Sequence, residues 1–519
     1  MGDGGDAITG AKTIWELIDR RARASADHPM LFDAAGRSMT FASFAAAVET
    51  AAAGLFARGI SEGSRVSWQL PTTFEAIIVS CALARLGAVQ NPIIHLYKER
   101  EVGFALSQTG STLFIVPGAW RDTDFVKMAD RAMAQSGASA DILDLSEGLP
   151  AGDPSVLPPP PAGVRAEDAP VRWIYYTSGS TAEPKGVQHT DQTLIAGGWG
   201  LAKALDMSPS DVGSIAFPFA HIAGPDYLVT MLSLGFPAVL LESFVPTDAI
   251  ELFNRHGVTM VGGSTAFYVA YLGEQRKHPD RSIFPSLRLM SGGGAAKPPN
   301  LHAEVRDEIG GRGVVHGYGM TEVPMIANGS PHDSDEQLAN TDGAPVEGAV
   351  IRVVRLDGVE ARAGEEGEIR VKGPMVFRGY TNPDLDLEAF DDEGWFRTGD
   401  LGVLRADGHV ALTGRLKDVI VRKGENISAK EIEDLLAAHQ KVAEVAVIGL
   451  PDATRGEMVC AVIQLADPGD AMDLSELVAY LKDAGLMTQK IPERLELTSE
   501  MPRAGTGKIV KKTLKERYS

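Results

Sequence analysis

A run of small hydroxyl and glycine residues closes on a lysine in YYTSGSTAEPKGV, Tyr175 to Val187. Thr177, Ser178, Ser180 and Thr181 offer hydroxyl donors, Gly179 lets the backbone bend close to a ligand, and Lys185 adds a point charge. That set suits an anion with several oxygens, a phosphate above all. It is not the Walker arrangement, because no Gly-Lys-Ser/Thr step opens a helix. The same test removes GTGK at 505–508, where Pro502 stands five positions before Gly507 and Ile509 follows the lysine. Taken alone, a Ser/Gly/Thr run is more often a turn. The Pro184-Lys185-Gly186 ending shifts the balance toward phosphate.

Four more segments carry chemistry-bearing residues. HGYGMTE holds His316, Gly317, Tyr318, Gly319, Thr321 and Glu322. Tyr318 offers a flat face for a base, Thr321 a hydroxyl for a phosphate, and Glu322 a hard oxygen ligand suited to Mg2+. GWFRTGDLG places Asp400 between glycines, where a carboxylate can accept both hydroxyls of a ribose. GRLKDVIVRKGENISAKEIE, Gly414 to Glu433, carries Arg415, Lys417 and Gly424. PRAGTGKI puts Lys508 on a glycine-rich segment. Each has a plain alternative when taken singly: a solvent-facing acid, an Asp in a turn, a solvated lysine.

These residues need a scaffold. Val66, Trp68 and Leu70 alternate as a strand does, and Thr72 is expected to cap an apolar helix that runs to Leu86 and stops at Gly87. Short apolar runs at Leu113–Val116, Trp173–Tyr176, Ala238–Leu241, Val258–Val261 and Leu287–Met290 read as buried parallel strands with helices between them. The expected fold class is α/β. Pro154 and the run Pro158–Pro161 mark an exposed connection. After about residue 400 the texture becomes α+β, and Ser428 with Glu431 forms a capping box ahead of Ile432, Leu435 and Leu436. The spacing puts a boundary near Arg415–Asp418.

Composition narrows the partners. Lys and Arg number 49 against 69 Asp and Glu, a net charge of −20, which argues against a nucleic-acid binder. An anionic ligand therefore needs a local island of cations and N–H groups in an acidic body. Cys81 and Cys460 lie too far apart in sequence for a disulfide framework or metal spacing, so a reducing cytoplasm is expected. No apolar run reaches membrane-spanning length. The start, MGDGGD, has neither a basic region nor an apolar signal core, and Asp6 stands where a myristoylation signal wants Ser or Thr.

In their order and spacing, the five segments resemble the adenylate-forming superfamily of acyl-CoA synthetases, peptide-synthetase adenylation domains and luciferases. The resemblance covers about Thr40 to Lys511. It implies that the Thr177–Lys185 loop grips the β- and γ-phosphates of ATP. Tyr318, flanked by His316, Gly317 and Gly319, would stack on adenine. Thr321 would meet the α-phosphate, Glu322 with Thr181 would hold Mg2+, and Asp400 and Arg415 the ribose. Lys508 would reach the carboxylate and α-phosphate. Lys417 matches the hinge, and Gly424 falls with the nucleotide- and coenzyme-binding set. His221, in FPFAHIAG, matches the position between the acyl pocket and the pantetheine tunnel. Ser291–Ala295, including Gly294 and Ala295, would line the acyl and adenine pockets. Lys508, Thr177, Glu322 and His221 are the implied catalytic residues. One departure is Ala182, where the family usually has Gly.

The resemblance thus implies a large N-terminal domain over 1–414, built of parallel-rich sheets with covering helices, and a small α+β lid over 415–519. The implied substrates are a small carboxylic acid, ATP and coenzyme A, with Mg2+, and the family allows a homodimer. Two rival readings share these motifs: a stand-alone adenylation enzyme loading a carrier protein, and a luciferase-like oxygenase. Ala220-His221-Ile222 lacks the acid that would read an α-amino group. The three glycines at 292–294 add no side-chain bulk, which favours a medium-chain, branched or alicyclic acid.

Overall fold

The computed structural model describes residues 7–177, 184–294, 297–422, 425–452, 454–504 and 508–519. They fall into two compact units. The first holds the described chain up to Val350 and returns for Lys372–Gly394; the second holds Ile351–Val371 and the chain from Trp395 on. Both mix helices and strands.

Among the described residues, three large sheets and a two-stranded one, Ala119–Trp120 with Thr123–Asp124, build the first unit. The six-stranded one runs in the order 185–189, 173–177, 89–92, 65–68, 113–116, 141–144. All neighbours in it are parallel except the edge pair, where Lys185–His189 turns back against Trp173–Thr177. A five-stranded sheet takes Met260–Gly263, Leu289–Gly293 and Val314–Met320 in parallel and then Val323–Asn328 antiparallel. A four-stranded sheet places Gly213–Ile215, Ala238–Leu240, Pro29–Phe32 and Ser38–Thr40 side by side. Strand Leu113–Val116 is buried along its whole length, as a parallel strand covered on both faces must be.

The helix after Trp68 runs Phe74–Leu86 and ends at Gly87, whose φ of 68° is the left-handed turn expected of a C-terminal glycine. Its cap is Thr73, whose hydroxyl accepts from the Ala76 N–H at 3.3 Å. Thr72, the expected cap, sits one residue too early. Its hydroxyl instead donates to the Phe217 carbonyl at 2.9 Å and accepts from the Phe219 N–H at 3.0 Å. The helix Ala223–Leu234 ends in carbonyls that no further turn can satisfy. The buried guanidinium of Arg21 donates to two of them, Leu232 and Ser233, at 2.7 Å each.

The second unit has two sheets. One orders Val350–Val354, Glu366–Lys372, Phe396–Leu404 and Val410–Arg415. The other is built on the long hairpin of Val442–Asp452 with Gly456–Leu465, and Arg494–Leu497 joins it in parallel. Helix Ala429–Ala437 starts at Ser428 as expected, with the Ser428 hydroxyl accepting from the Glu431 N–H. The reciprocal half of the capping box is replaced, because the Glu431 carboxylate pairs with Lys490 at 2.6 Å. Both cysteines are unpaired and buried, and burial pushes the Cys460 thiol up to about 12. No helix among the described residues is long and apolar enough to cross a membrane.

One buried side chain ties the six-stranded sheet to the five-stranded one. His189, fully buried, lies 2.7 Å from the Thr321 carbonyl through Nε2 and 2.9 Å from the Thr193 hydroxyl through Nδ1. A carbonyl only accepts, so Nε2 carries the proton and Nδ1 accepts from Thr193 in the neutral ring. Desolvation pushes this imidazole down to about 4. The unfolded chain therefore binds more protons than the folded one between about pH 6.5 and 4. The stability this site contributes is complete above pH 6.5 and falls as pH drops through that window, by on the order of 3 kcal/mol. His189→Gln keeps a donor and an acceptor without the titration. Melting temperatures measured from pH 7.5 to 4.5 should show the wild type losing its advantage over this variant as pH falls. A gap that stays constant would mean His189 does not titrate in that window.

Candidate functional site

Thr177 and Lys185 are register partners in the antiparallel edge pair of the six-stranded sheet. The ladder therefore fixes both ends of the Ser/Gly/Thr loop. Ser178, Gly179, Ser180, Thr181 and Ala182 lie outside the described residues, as do Ala295 and Gly424. Lys185 holds its ammonium 5.0 Å from the centre of the Tyr380 ring. Among the described residues no carboxylate lies within ion-pair distance of it.

The Tyr380 segment follows the strand that carries Lys185. Gln188 N–H donates to the Gly379 carbonyl at 3.1 Å, Thr381 N–H to the Gly186 carbonyl at 2.8 Å, and Val187 and Tyr380 pair as an antiparallel bridge. Gly186 is required here, since a Cβ would come within 2.5 Å of the Thr381 hydroxyl.

HGYGMTE forms the strand Val314–Met320 and the turn into Val323–Asn328, with Thr321 and Glu322 at the turn. Two of its glycines are close approaches. A Cβ on Gly317 would stand 2.1 Å from the Asn328 amide oxygen, and one on Gly319 would stand 2.2 Å from the Pro324 carbonyl. Tyr318 is 5% exposed, and buried His316 lies 3.8 Å from Asp342. The main chain of Thr321–Glu322 is held from two sides: His189 reaches the Thr321 carbonyl, and Phe377 N–H donates to that of Glu322 at 2.9 Å. The Glu322 side chain accepts from the Tyr380 hydroxyl at 2.8 Å.

His221 lies just before helix Ala223–Leu234, and its Nδ1 accepts from the Ala223 N–H at 3.3 Å. That contact leaves the proton of the neutral ring on Nε2. Gly224 is obligatory, because a Cβ would fall 1.9 Å from the Phe219 carbonyl. The Thr72 hydroxyl holds Phe217 and Phe219, so it sets the approach of the whole His221 turn.

The glycine run at 292–294 does a different job from the one its composition suggests. A Cβ on Gly292 would lie 1.6 Å from the Gly263 carbonyl, and one on Gly293 would lie 2.3 Å from that of Gly317. Both face neighbouring strands, so their missing side chains create no cavity. Gly294 alone, at φ 79°, has nothing within 4 Å of where a side chain would begin.

In the second unit, Asp400 and Arg415 face each other across the ladder, with Arg415 Nε 3.0 Å from the buried Asp400 carboxylate. Lys417 is exposed on the turn Leu416–Asp418. Lys508 is exposed beside the bridge of Arg503 to Ile509, and its carbonyl accepts from the Ala504 N–H at 2.9 Å.

The first unit thus gathers Thr177, Lys185, Thr321 and Glu322 on segments joined through His189 and Tyr380, and the second pairs Asp400 with Arg415. The donor set of the first unit suits a polyphosphate with a hard cation: an ammonium with no acidic partner among the described residues, a hydroxyl and a carboxylate. Sequence reasoning missed Tyr380 and His189, and gave Thr72 the role of a helix cap instead of its contacts to Phe217 and Phe219. Their partners stand 58, 132 and 145 residues away, and no local spacing signals such pairs.

Known proteins resemble this chain along most of its length. The family model described as AMP-binding enzyme matches residues 18–381, and that of the AMP-binding enzyme C-terminal domain matches 431–508. A feruloyl-CoA synthase from Amycolatopsis sp is 32% identical over 96% of this chain and 98% of its own length. A medium-chain fatty-acid–CoA ligase from Escherichia coli K12 is 29% identical over 98% of this chain and 91% of its own. Among solved structures, ATP-bound MatB from Rhodopseudomonas palustris superposes with a TM-score of 0.85 at 29% identity, covering 97% of this chain and 98% of that one. With family models over both parts of the chain and full-length relatives among the ligases, this protein belongs to the AMP-binding enzyme family, in its carboxylate–CoA ligase group.

Proposed function

We propose that the chain is an ATP-dependent acyl-CoA synthetase that activates a carboxylic acid as acyl-AMP, releases pyrophosphate, and passes the acyl group to coenzyme A. The observation that carries this reading is the gathering of Lys185, Thr177, Thr321 and Glu322, with no acidic partner for Lys185 among the described residues. Lys185, Thr177 and the adjoining loop hold the β- and γ-phosphates, and Thr321 meets the α-phosphate. Glu322 and Thr181 are the residues that would hold Mg2+, which neutralises phosphate charge when bound. Tyr318, with His316, Gly317, Gly319, Gly294 and Ala295, forms the adenine side, and Asp400 with Arg415 takes the ribose. His221 separates the acyl pocket from the path of the thiol. The chain's residues do little covalent work; they orient the acid oxygen toward the α-phosphorus and supply charge where it develops.

A medium-chain, branched or alicyclic acid is the favoured substrate. Its support is the open side of Gly294 and the name of the Escherichia coli relative. The two unpaired buried thiols support a cytoplasmic setting. We take residues 415–519 as the moving lid, with Lys417 as its pivot and Gly424 just beyond it.

The first test is exchange of labelled pyrophosphate into ATP across a panel of acids, with Mg2+ and without coenzyme A. Exchange with at least one acid is expected. Formation of ADP and phosphate instead would sink the mechanism.

Lys508→Ala should cut adenylation by about 10²–10³, the usual loss for one preorganised charge contact. Supplied with synthetic acyl-adenylate and coenzyme A, the same variant should form thioester near the wild-type rate. Equal losses in both assays would make Lys508 structural or common to both steps.

Lys417→Pro should show the reverse split, because proline fixes φ near −65° and stiffens the pivot. Adenylate should accumulate while its transfer to coenzyme A slows. Loss of both half-reactions together would place the hinge elsewhere.

A further inference from the structure

Tyr380 has no part in the reaction proposed above, yet it touches two of the groups that reaction needs. Its ring lies under the Lys185 ammonium, 5.0 Å from Nζ to the centroid. Its hydroxyl donates to Glu322 Oε1 at 2.8 Å. One aromatic side chain thus has a cation on its face and a carboxylate at its oxygen.

The ring is locked in that position. Tyr380 N–H donates to Asp386 Oδ1 at 2.8 Å, and its carbonyl accepts from Gln188 Nε2 at 2.7 Å. The ring meets Phe377 edge-on, with centroids 4.8 Å apart, and Phe377 in turn stacks on Phe390. The side chain is 5% exposed. Burial, and next the Glu322 charge, push the phenol upward, so it stays protonated and remains a donor.

A lysine and a glutamate serving one anion and one cation face a hazard. In a half-buried site they attract each other, and a direct ion pair would consume both charges. A phenol avoids this. Its face attracts the ammonium without neutralising it, and its O–H satisfies one carboxylate oxygen without adding a positive charge. No ion pair of Lys185 with any carboxylate occurs among the described residues.

We infer that Tyr380 is a positioning residue that holds Lys185 and Glu322 apart, so that neither charge neutralises the other when a magnesium–nucleotide binds. This rests on the nucleotide reading above. It adds that the affinity for the divalent cation is set partly by a tyrosine that is not itself a metal ligand.

Two variants separate the ring from the hydroxyl. Tyr380→Phe keeps the ring under Lys185 and removes the donor to Glu322. Tyr380→Leu removes both. The readout is calorimetric binding of a non-hydrolysable ATP analogue as a function of Mg2+ concentration, with melting temperature measured alongside. Tyr380→Phe should leave analogue affinity at saturating Mg2+ within about twofold of wild type. It should raise the Mg2+ concentration for half-maximal binding about tenfold, the scale of one hydrogen bond to a charged group. Tyr380→Leu should weaken analogue binding even at saturating Mg2+, as Lys185 turns to Glu322. An unmoved Mg2+ midpoint in Tyr380→Phe overturns the inference, and so does a loss of affinity that follows melting temperature without changing the Mg2+ dependence. Wild-type protein that binds no magnesium–nucleotide overturns the nucleotide reading as well. Wild-type binding with an unmoved Tyr380→Phe overturns this inference alone.

Discussion

The arrangement of the first unit depends on a neutral histidine bridging two sheets. His189 closes the edge strand of the six-stranded sheet, and Thr321 lies at the hairpin turn of the five-stranded one. Their 2.7 Å contact is one of the links that relate Lys185 on one sheet to Glu322 on the other. An imidazole suits the place because it donates on one side and accepts on the other while uncharged. A lysine or arginine there would bring an unpaired charge into a fully buried position, at a cost of several kcal/mol. The Tyr380 segment then doubles the constraint by hydrogen-bonding along the same edge strand and reaching Glu322 with its side chain.

The legible parts of the fold and the illegible ones differ in range. Leu113–Val116 occurs as read, because four apolar residues between turn signals can only be a covered strand. The helix at 74–86 and its terminal glycine were equally plain, and the choice between Thr72 and Thr73 was not. Two adjacent threonines have the same capping chemistry, and the one that caps is decided by the distant carbonyl of Phe217, which takes the other. Likewise Ser428 announced its helix, but Glu431 was taken by Lys490, 59 residues on. The five segments could be singled out because each carries its chemistry-bearing residues within a short stretch. The residues that hold them in relation to one another could not, because their partners are set by sheet order.

The Asp400–Arg415 pair joins a buried charge to a half-exposed one. The carboxylate is buried while the arginine side chain is 44% exposed, so the pair sits at a boundary with solvent. Removing the guanidinium would leave that buried carboxylate without its cation, which is costly unless another donor takes its place. A ligand taking the place of the guanidinium would have to donate to the carboxylate itself. The ladder that opposes the two residues keeps them adjacent whether or not the ion pair is made.

The glycine run at 292–294 bears on how such an enzyme can change its diet. Gly292 and Gly293 are fixed by carbonyls of adjacent strands, so their identity carries no information about the acid. Selection for a new substrate has no purchase there, and neither does a randomised library: each should return glycine whatever is offered. Gly294 is open in space but held at a left-handed φ, which leaves asparagine and aspartate as its least strained replacements. A comparison of relatives at Gly292 and Gly293 therefore reads sheet geometry, and only Gly294 and the elements around the run have side-chain space to vary.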